Sequence, residues 1–399
     1  MWEMVRTLKK LLSYGGAALA FTYGCLTAAP AWADEPKPDS PLVVTIDYSL
    51  DTVGIVKGGA VRRAQTLDHL SLGLDIDLDR ALGLGGFSAH IEGSNTSGGA
   101  PGERAGALQG VDNIEVSARR LRLYQAWLEA GLAQDRVNLR VGFSDLSGEF
   151  ATSDASGFLL NPSFGFAPEF AASGAAAFPS TALGARLRVA PTEATYVQVA
   201  VVNARAGVPG DDGGADFSFN DGEILVAEAG WTGNGRVTLG YWRLSKKQDD
   251  LLTIDSSGAP VSRIAEGAYA AAEQTLLKTE DGARTAVGFA RAGLSDGRTT
   301  PFRASFQAGV LLQPAVSSRP ESTLTAGVTH AWLSTAYRGA EAAAGNPLAR
   351  SETVFELTYS DQLTRNIRIQ PDLQCVRNPS AAPGARDAIV PSLRINIGF

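Results

Sequence analysis

The chain has 399 residues, 44 glycines, two cysteines, 19% charged residues and a formal net charge of −7. That length allows one large domain or two ordinary ones, and the acidic balance argues against nucleic acid as the main partner.

Residues 1–33 read as a secretory signal. Arg6, Lys9 and Lys10 make a basic start, an apolar stretch follows from Leu11, and Ala31-Trp32-Ala33 offers the small residues of a cleavage site. Loss of this segment removes Glu3 and those three cations, a charge of +2, and takes the net charge from −7 to about −9. Cys375 is then the one remaining cysteine, so no intramolecular disulfide can form. No later stretch approaches the roughly 18 consecutive apolar residues of a membrane helix.

From residue 42 onward the chain alternates. In "LSLGLDIDLD", Leu70, Leu72, Leu74 and Ile76 share one face of a strand, and Ser71, Gly73, Asp75 and Asp77 share the other. "VNLRVGF" sets Leu139, Val141 and Phe143 against Asn138, Arg140 and Gly142. "LGARLRV" sets Ala185, Leu187 and Val189 against Gly184, Arg186 and Arg188. The pattern continues through "RASFQAGVLL", with Arg303 on the polar face, through "NIRIQPDLQC", and into the last residues, "SLRINIGF". Sixteen strands are predicted near 42–50, 67–80, 85–94, 119–132, 135–146, 181–190, 194–203, 222–232, 235–244, 264–278, 283–294, 301–313, 321–333, 350–361, 364–375 and 385–399. The strands at 119–132 and 321–333 read as shifting parity.

The connections alternate in length. Tight ones such as "AQ", "PTE", "TGN" and "QLT" lie between long ones, the longest near 147–180. Short turns at one end and long loops at the other describe a transmembrane barrel, whose closure removes the edges that lipid would not tolerate. The fold class expected is all-β: a sixteen-stranded antiparallel transmembrane barrel spanning residues 34–399. A soluble β-sandwich would also alternate, but its strands would more often run five or six residues.

The inward parity carries Arg122, Arg140, Arg186, Arg188, Arg303, Arg368 and Arg394, with His90, Glu92 and Asn138. A guanidinium presents five donors in a rigid fork suited to paired hydroxyls. Each such bond replaces one to water, so binding is weak, as passage by diffusion requires. The loop 147–180 is the expected constriction, since a connection of that length is usually functional. It brings Glu149 and a set of phenylalanines. Most of these are expected to pin the loop to the wall, with Phe150 or Phe164 reaching the pore. Arg140 and Arg186 are expected at the narrowest point.

Several stretches together resemble the carbohydrate-selective porin (OprB) family: "LDHLSLGLDIDLDRALGL", "LQGVDNIE", "RLYQAWLE", "LRVGFSDLSGEFATSDASGFLLNPSFG", "FPSTALGARLRVAPT" and "ETVFELTYSDQLTRNIRIQPDLQCVRNP". The resemblance implies a sixteen-stranded outer-membrane channel for passive diffusion of carbohydrates, with no cofactor, no metal and no catalysis. Cys375 stands where the family pattern suggests an aromatic. Outer-membrane lipid and a carbohydrate solute are the implied partners, and Phe399 is the expected signal to the barrel-assembly machinery. Porins commonly associate as homotrimers, and the sequence shows no interface signature that decides it. Two other readings stay open. Arginines alone would also suit an anion or organic-acid porin. A barrel enzyme could use His90 beside a serine, although the three histidines show no metal-ligand spacing.

Overall fold

The computed structural model describes residues 40–116, 119–279 and 284–399, and the predicted secretory signal lies outside them. Eighteen strands follow in order: β1 (Leu42–Gly54), β2 (Ala64–Asp77), β3 (Phe87–Ser97), β4 (Arg120–Leu132), β5 (Val137–Ser144), β6 (Ala182–Thr192), β7 (Thr195–Asn203), β8 (Glu223–Thr232), β9 (Gly235–Leu244), β10 (Gln248–Ile254), β11 (Pro260–Arg263), β12 (Glu266–Lys278), β13 (Thr285–Ser295), β14 (Phe302–Gln313), β15 (Thr323–Leu333), β16 (Ser351–Thr364), β17 (Ile367–Arg377) and β18 (Ala388–Gly398). All but β10 and β11 pair with their chain neighbours in one closed antiparallel barrel, and β1 meets β18 with Asp51 opposite Arg394. The sixteen predicted strands are these sixteen.

The alternation is physical. Leu121, Leu128, Val141, Leu187, Val199, Leu239, Leu294 and Leu357 lie exposed on the outside, while Gln198, Glu228, Thr238, Arg291, Gln307, Thr329, Glu356 and Gln374 are buried within. An apolar surface running round the whole sheet belongs in hydrocarbon rather than water. Cys375 sits on this outer face, opposite Phe355 and Ile389.

Parity departs from expectation in two places, in β15 and at Arg303. β4 does shift, at a bulge: Leu123 pairs with Gly93 and Gln125 with Glu92, which leaves Tyr124 unpaired between them. Arg122 and Tyr124 therefore face inward above the bulge, and Gln125, Trp127 and Glu129 below it. β15 keeps one parity throughout. Its inward face turns apolar at Ala331 and Leu333 because a small core with Phe302 and Ala381 packs there. Arg303 was expected inside; it is exposed at a bulge in β14, where Phe302 takes the inward place.

Among the elements outside the barrel pattern are a hairpin and a helix. The expected loop at 245–263 holds the β10–β11 hairpin, turned at Asp255, whose carboxylate accepts from Ser257 N and Ala259 N (2.8 and 3.1 Å). The loop after β15 contains a helix, Thr335–Ala343, capped by Ser334 Oγ accepting from Tyr337 N at 3.0 Å.

The third long connection, between β5 and β6, folds into the barrel. It is not structureless: short helices form at Ser156–Phe158, Pro162–Gly165 and Pro168–Ala171. Its phenylalanines Phe150, Phe166 and Phe170 enter a core with Val202, Val226 and Trp242 of the wall. Phe164 joins Phe289 and Leu311 in another. A Cβ on Gly327 would stand 2.7 Å from both Leu159 and Phe164, so glycine there gives the loop a flat seat. Gly327→Val is expected to cost about 1–3 kcal/mol by overpacking. The check is the temperature at which the folded barrel converts to its slower-migrating heated form on a gel; an unchanged transition would remove the seat argument.

Candidate functional site

The inward loop packs against the β7–β17 side of the wall. Glu228 accepts from Ala151 N at 2.8 Å, Glu273 from Ala155 N at 2.9 Å, and Glu356 from Asn161 N at 3.0 Å. Arg291 donates to the carbonyls of Ala151, Ser163 and Gly165 at 3.1, 2.6 and 3.1 Å. Gln370 donates to Phe158 O at 2.6 Å.

The opposite side, β18 and β1 to β5, is left lining a polar cavity of about 440 Å³. Of the residues named from the sequence, His90, Glu92, Arg140, Glu149 and Arg394 line it, together with Asp47, Asp75, Gln125, Trp127, Asp145 and Phe178. His90 Nδ1 lies 2.7 Å from Asp75 Oδ1, and its ring stacks on Trp127 at 5.1 Å. Arg140, from the strand on the other side of β4, places its guanidinium carbon 3.7 Å from the Trp127 ring centre. Glu92 accepts from Ser71 Oγ and Gln125 Nε2 at 2.6 and 3.1 Å.

Arg140 and Glu149 of this wall belong to a closed charge tetrad. In register, Glu129 faces Arg140 across β4–β5, and Arg140 faces Arg186 across β5–β6. Glu129 Oε2 accepts from Arg140 Nε at 2.7 Å and Arg186 Nη2 at 3.0 Å. Glu149, from the inward loop, closes the ring: it accepts from Arg186 Nε at 2.9 Å and from Arg140 Nη1. Asn138 Oδ1 accepts from Arg186. Arg140 thus reaches the cavity, whereas Arg186 and Asn138 hold the base of the loop. Arg394 is likewise paired, with Asp51 at 2.5 Å, and it donates to Asn113 Oδ1 at 2.7 Å.

Asp112 and Asp145 stand in connections beside these groups. Burial, with the Asp51 carboxylate nearby, pushes the Asp112 carboxyl well above its ordinary range. Burial also raises Asp145, against the bonds donated by Tyr124 and Ser147.

Five expected lining residues lie elsewhere. Phe150 is fully buried in the loop core and does not reach the pore, and neither does Phe164. Arg122 is buried beneath the fourth long loop, bonded to Asp211 at 2.5 Å and Thr96 at 3.0 Å. Arg188 lies over the Tyr196 ring, further round the wall. Arg368 is buried near the short-turn end, donating to Ser360 and Gln362 at 2.9 and 3.1 Å. The loop aromatic that does face the cavity is Phe178, edge-on to His69 and Tyr124 at 5.1 and 5.8 Å. Trp127 escaped the sequence reading because plain alternation from Leu121 and Leu123 sends it outward; the Tyr124 bulge reverses that.

A family model described as carbohydrate-selective porin, OprB family, matches residues 62–399. No curated protein matches the chain significantly. Among solved structures, the high-pH structure of Pseudomonas putida OprB superposes with a TM-score of 0.81 at 21% identity, covering 90% of this chain and 94% of that one. The low-pH structure of the same protein gives 0.58 at 18% identity, covering 90% and 93%. An anion-selective porin from Comamonas acidovorans gives 0.55 at 10% identity, covering 90% and 99%. Identities this low establish the shared fold alone.

The tetrad makes its own prediction. Arg140→Gln and Glu149→Gln should each destabilise the barrel, and the double variant should cost less than their sum by about 0.5–3 kcal/mol. A double-mutant cycle on urea unfolding in lipid measures the coupling; strict additivity would mean the two do not interact.

Proposed function

The chain belongs to the carbohydrate-selective porin family of bacterial outer membranes, and from that premise we propose that a neutral monosaccharide of the glucose type crosses along the β1–β5 wall. It pauses against Arg140, His90, Gln125 and Glu92, with the inward loop as the constriction. One observation carries the reading: the arginines of this cavity wall are each paired with carboxylates, Arg140 with Glu129 and Glu149 and Arg394 with Asp51. Asp47, Asp75, Glu92 and Asp145 line the same cavity, so the wall presents donors and acceptors side by side with no excess of positive charge. That suits vicinal hydroxyls, which both give and take hydrogen bonds. An anion-preferring pore would instead need cations in excess of their partners. Phe178 adds an apolar contact for a sugar ring face.

The barrel is a channel, and its binding groups serve passage rather than turnover. Phe399 is half exposed and pairs through its backbone with Ile46 at 2.9 and 3.2 Å, which supports its offer to the barrel-assembly machinery. Assembly as a homotrimer belongs to the same proposal and is read out by native mass.

The test is single-channel conductance of the refolded protein in a planar bilayer. Glucose should reduce the open current, and Arg140→Ala should raise the half-blocking concentration about tenfold, the weight of one charged hydrogen bond. A current indifferent to glucose but strongly anion-selective would overturn the sugar assignment.

A further inference from the structure

A second cavity, of about 390 Å³, lies on the long-loop side of the polar one. It is built by the second and third long loops and by Phe302 at the long-loop end of β14. The two cavities share Asn113, Gly157 and Phe178 on their walls, so they adjoin one another. Their chemistry differs. The outer lining includes the apolar residues Leu108, Leu159, Pro162, Phe166, Pro168 and Ala172.

The polar side chains at its edge are engaged with the protein. Gln109 donates to Glu352 O and accepts from Thr329 at 3.2 and 3.0 Å. Thr152 accepts from Arg236 at 3.1 Å, and Ser153 and Ser147 donate to Glu273 and Asp145, each at 2.7 Å. A bare sugar entering here finds few groups to replace its water. An apolar group of similar size removes apolar surface from water on both sides.

Resting on the sugar reading above, we propose that this porin takes amphipathic glycosides, small sugars carrying an aryl or alkyl aglycone. The aglycone seats in the outer vestibule among Leu108, Pro162 and Phe166 while the sugar reaches Arg140 and His90. Phe178 stands at the junction of the two environments, where the glycosidic bond would lie. The order of the two cavities also fixes an orientation, with the sugar leading and the aglycone following.

Block of the single-channel current by glucose, methyl β-glucoside, phenyl β-glucoside and phenol tests this in the same bilayer. Phenyl β-glucoside should block at a concentration about tenfold lower than glucose, the weight of a partly buried ring, with methyl β-glucoside close to glucose. In Ala172→Asp, a change at an exposed position of the vestibule wall, the ratio of phenyl glucoside to glucose block should fall toward one. Leu108→Asn is the second variant and should act in the same direction. Equal block by phenyl glucoside and glucose in the unaltered protein would overturn the vestibule proposal and leave the sugar channel standing. An unchanged ratio in both variants, or phenol blocking as well as phenyl glucoside, would also overturn it. Block by none of the sugars would sink the sugar reading itself.

Discussion

Folding a long connection into a barrel buries peptide groups that water no longer reaches, and each one left without a partner costs about 1–3 kcal/mol. The rest of this molecule depends on how the wall meets that demand. Carboxylates meet the loop's N–H groups: Glu228 at Ala151, Glu273 at Ala155, Glu356 at Leu160 and Asn161. One guanidinium, Arg291, meets three of its carbonyls. These ionisable groups sit on the inward parity but point at protein, not at solvent. Glu228 is saturated: it also accepts from Tyr196, Gln198 and Tyr269 at 2.7, 3.0 and 2.8 Å. The polar face of the barrel therefore has two employments, holding the loop on one side and facing the passage on the other.

That division decides the electrostatics of the passage. The count of inward arginines suggests a positive lumen, but a guanidinium between two carboxylates contributes little net field at any distance beyond its partners. Removing one member would leave a half-buried charge uncompensated, which is why pairs of this kind are costly to break even where they add little to stability as a whole. The tetrad spans β4, β5, β6 and the loop, so it holds the base of the inward loop and balances its own charge with the same bonds.

Strand number and turn polarity were legible in the sequence because lipid outside and polar groups inside impose a period of two on every strand, whatever its partners. His90, Glu92, Arg140 and Arg394 were read on the inward face for the same reason, while Glu149 was named because it stands on the long third loop. Trp127 was missed: a parity shift was legible in this strand but its position was not, and one extra residue at Tyr124 reverses the faces of everything after it. Arg303 failed through the same device in β14. The burial of Phe150 and Arg122 depended on contacts with segments roughly 50 to 90 residues away, as Phe150 with Trp242 in one core and Arg122 with Asp211; alternation says which face a side chain takes and nothing about what covers it. The β10–β11 hairpin did carry a local signal, the Asp255-Ser256-Ser257-Gly258 turn between two apolar runs, with Gly258 at φ +85°. The helix after Ser334 carried one too, a capping serine before an alanine-rich run.

The inward turn of the loop has a structural cause in the length of β5. β4 runs thirteen residues and β5 only eight, so β5 leaves the wall early and the chain enters the lumen at Asp145. The upper part of β4 would then present an open edge. The fourth long loop covers it: Pro209 O accepts from Leu123 N at 2.9 Å, and Gly210, at φ +108°, lies so close that a Cβ would stand 2.2 Å from Leu121 O. Asp211 fastens this strap to Arg122, to Ser180 at 2.7 Å and to Val208 N at 3.2 Å. Ser180 belongs to the far end of the inward loop. The strap that repairs the wall thus also holds the exit of the segment whose departure opened it. Arg122 is best understood there, as the clasp between two loops rather than as a contact for solute.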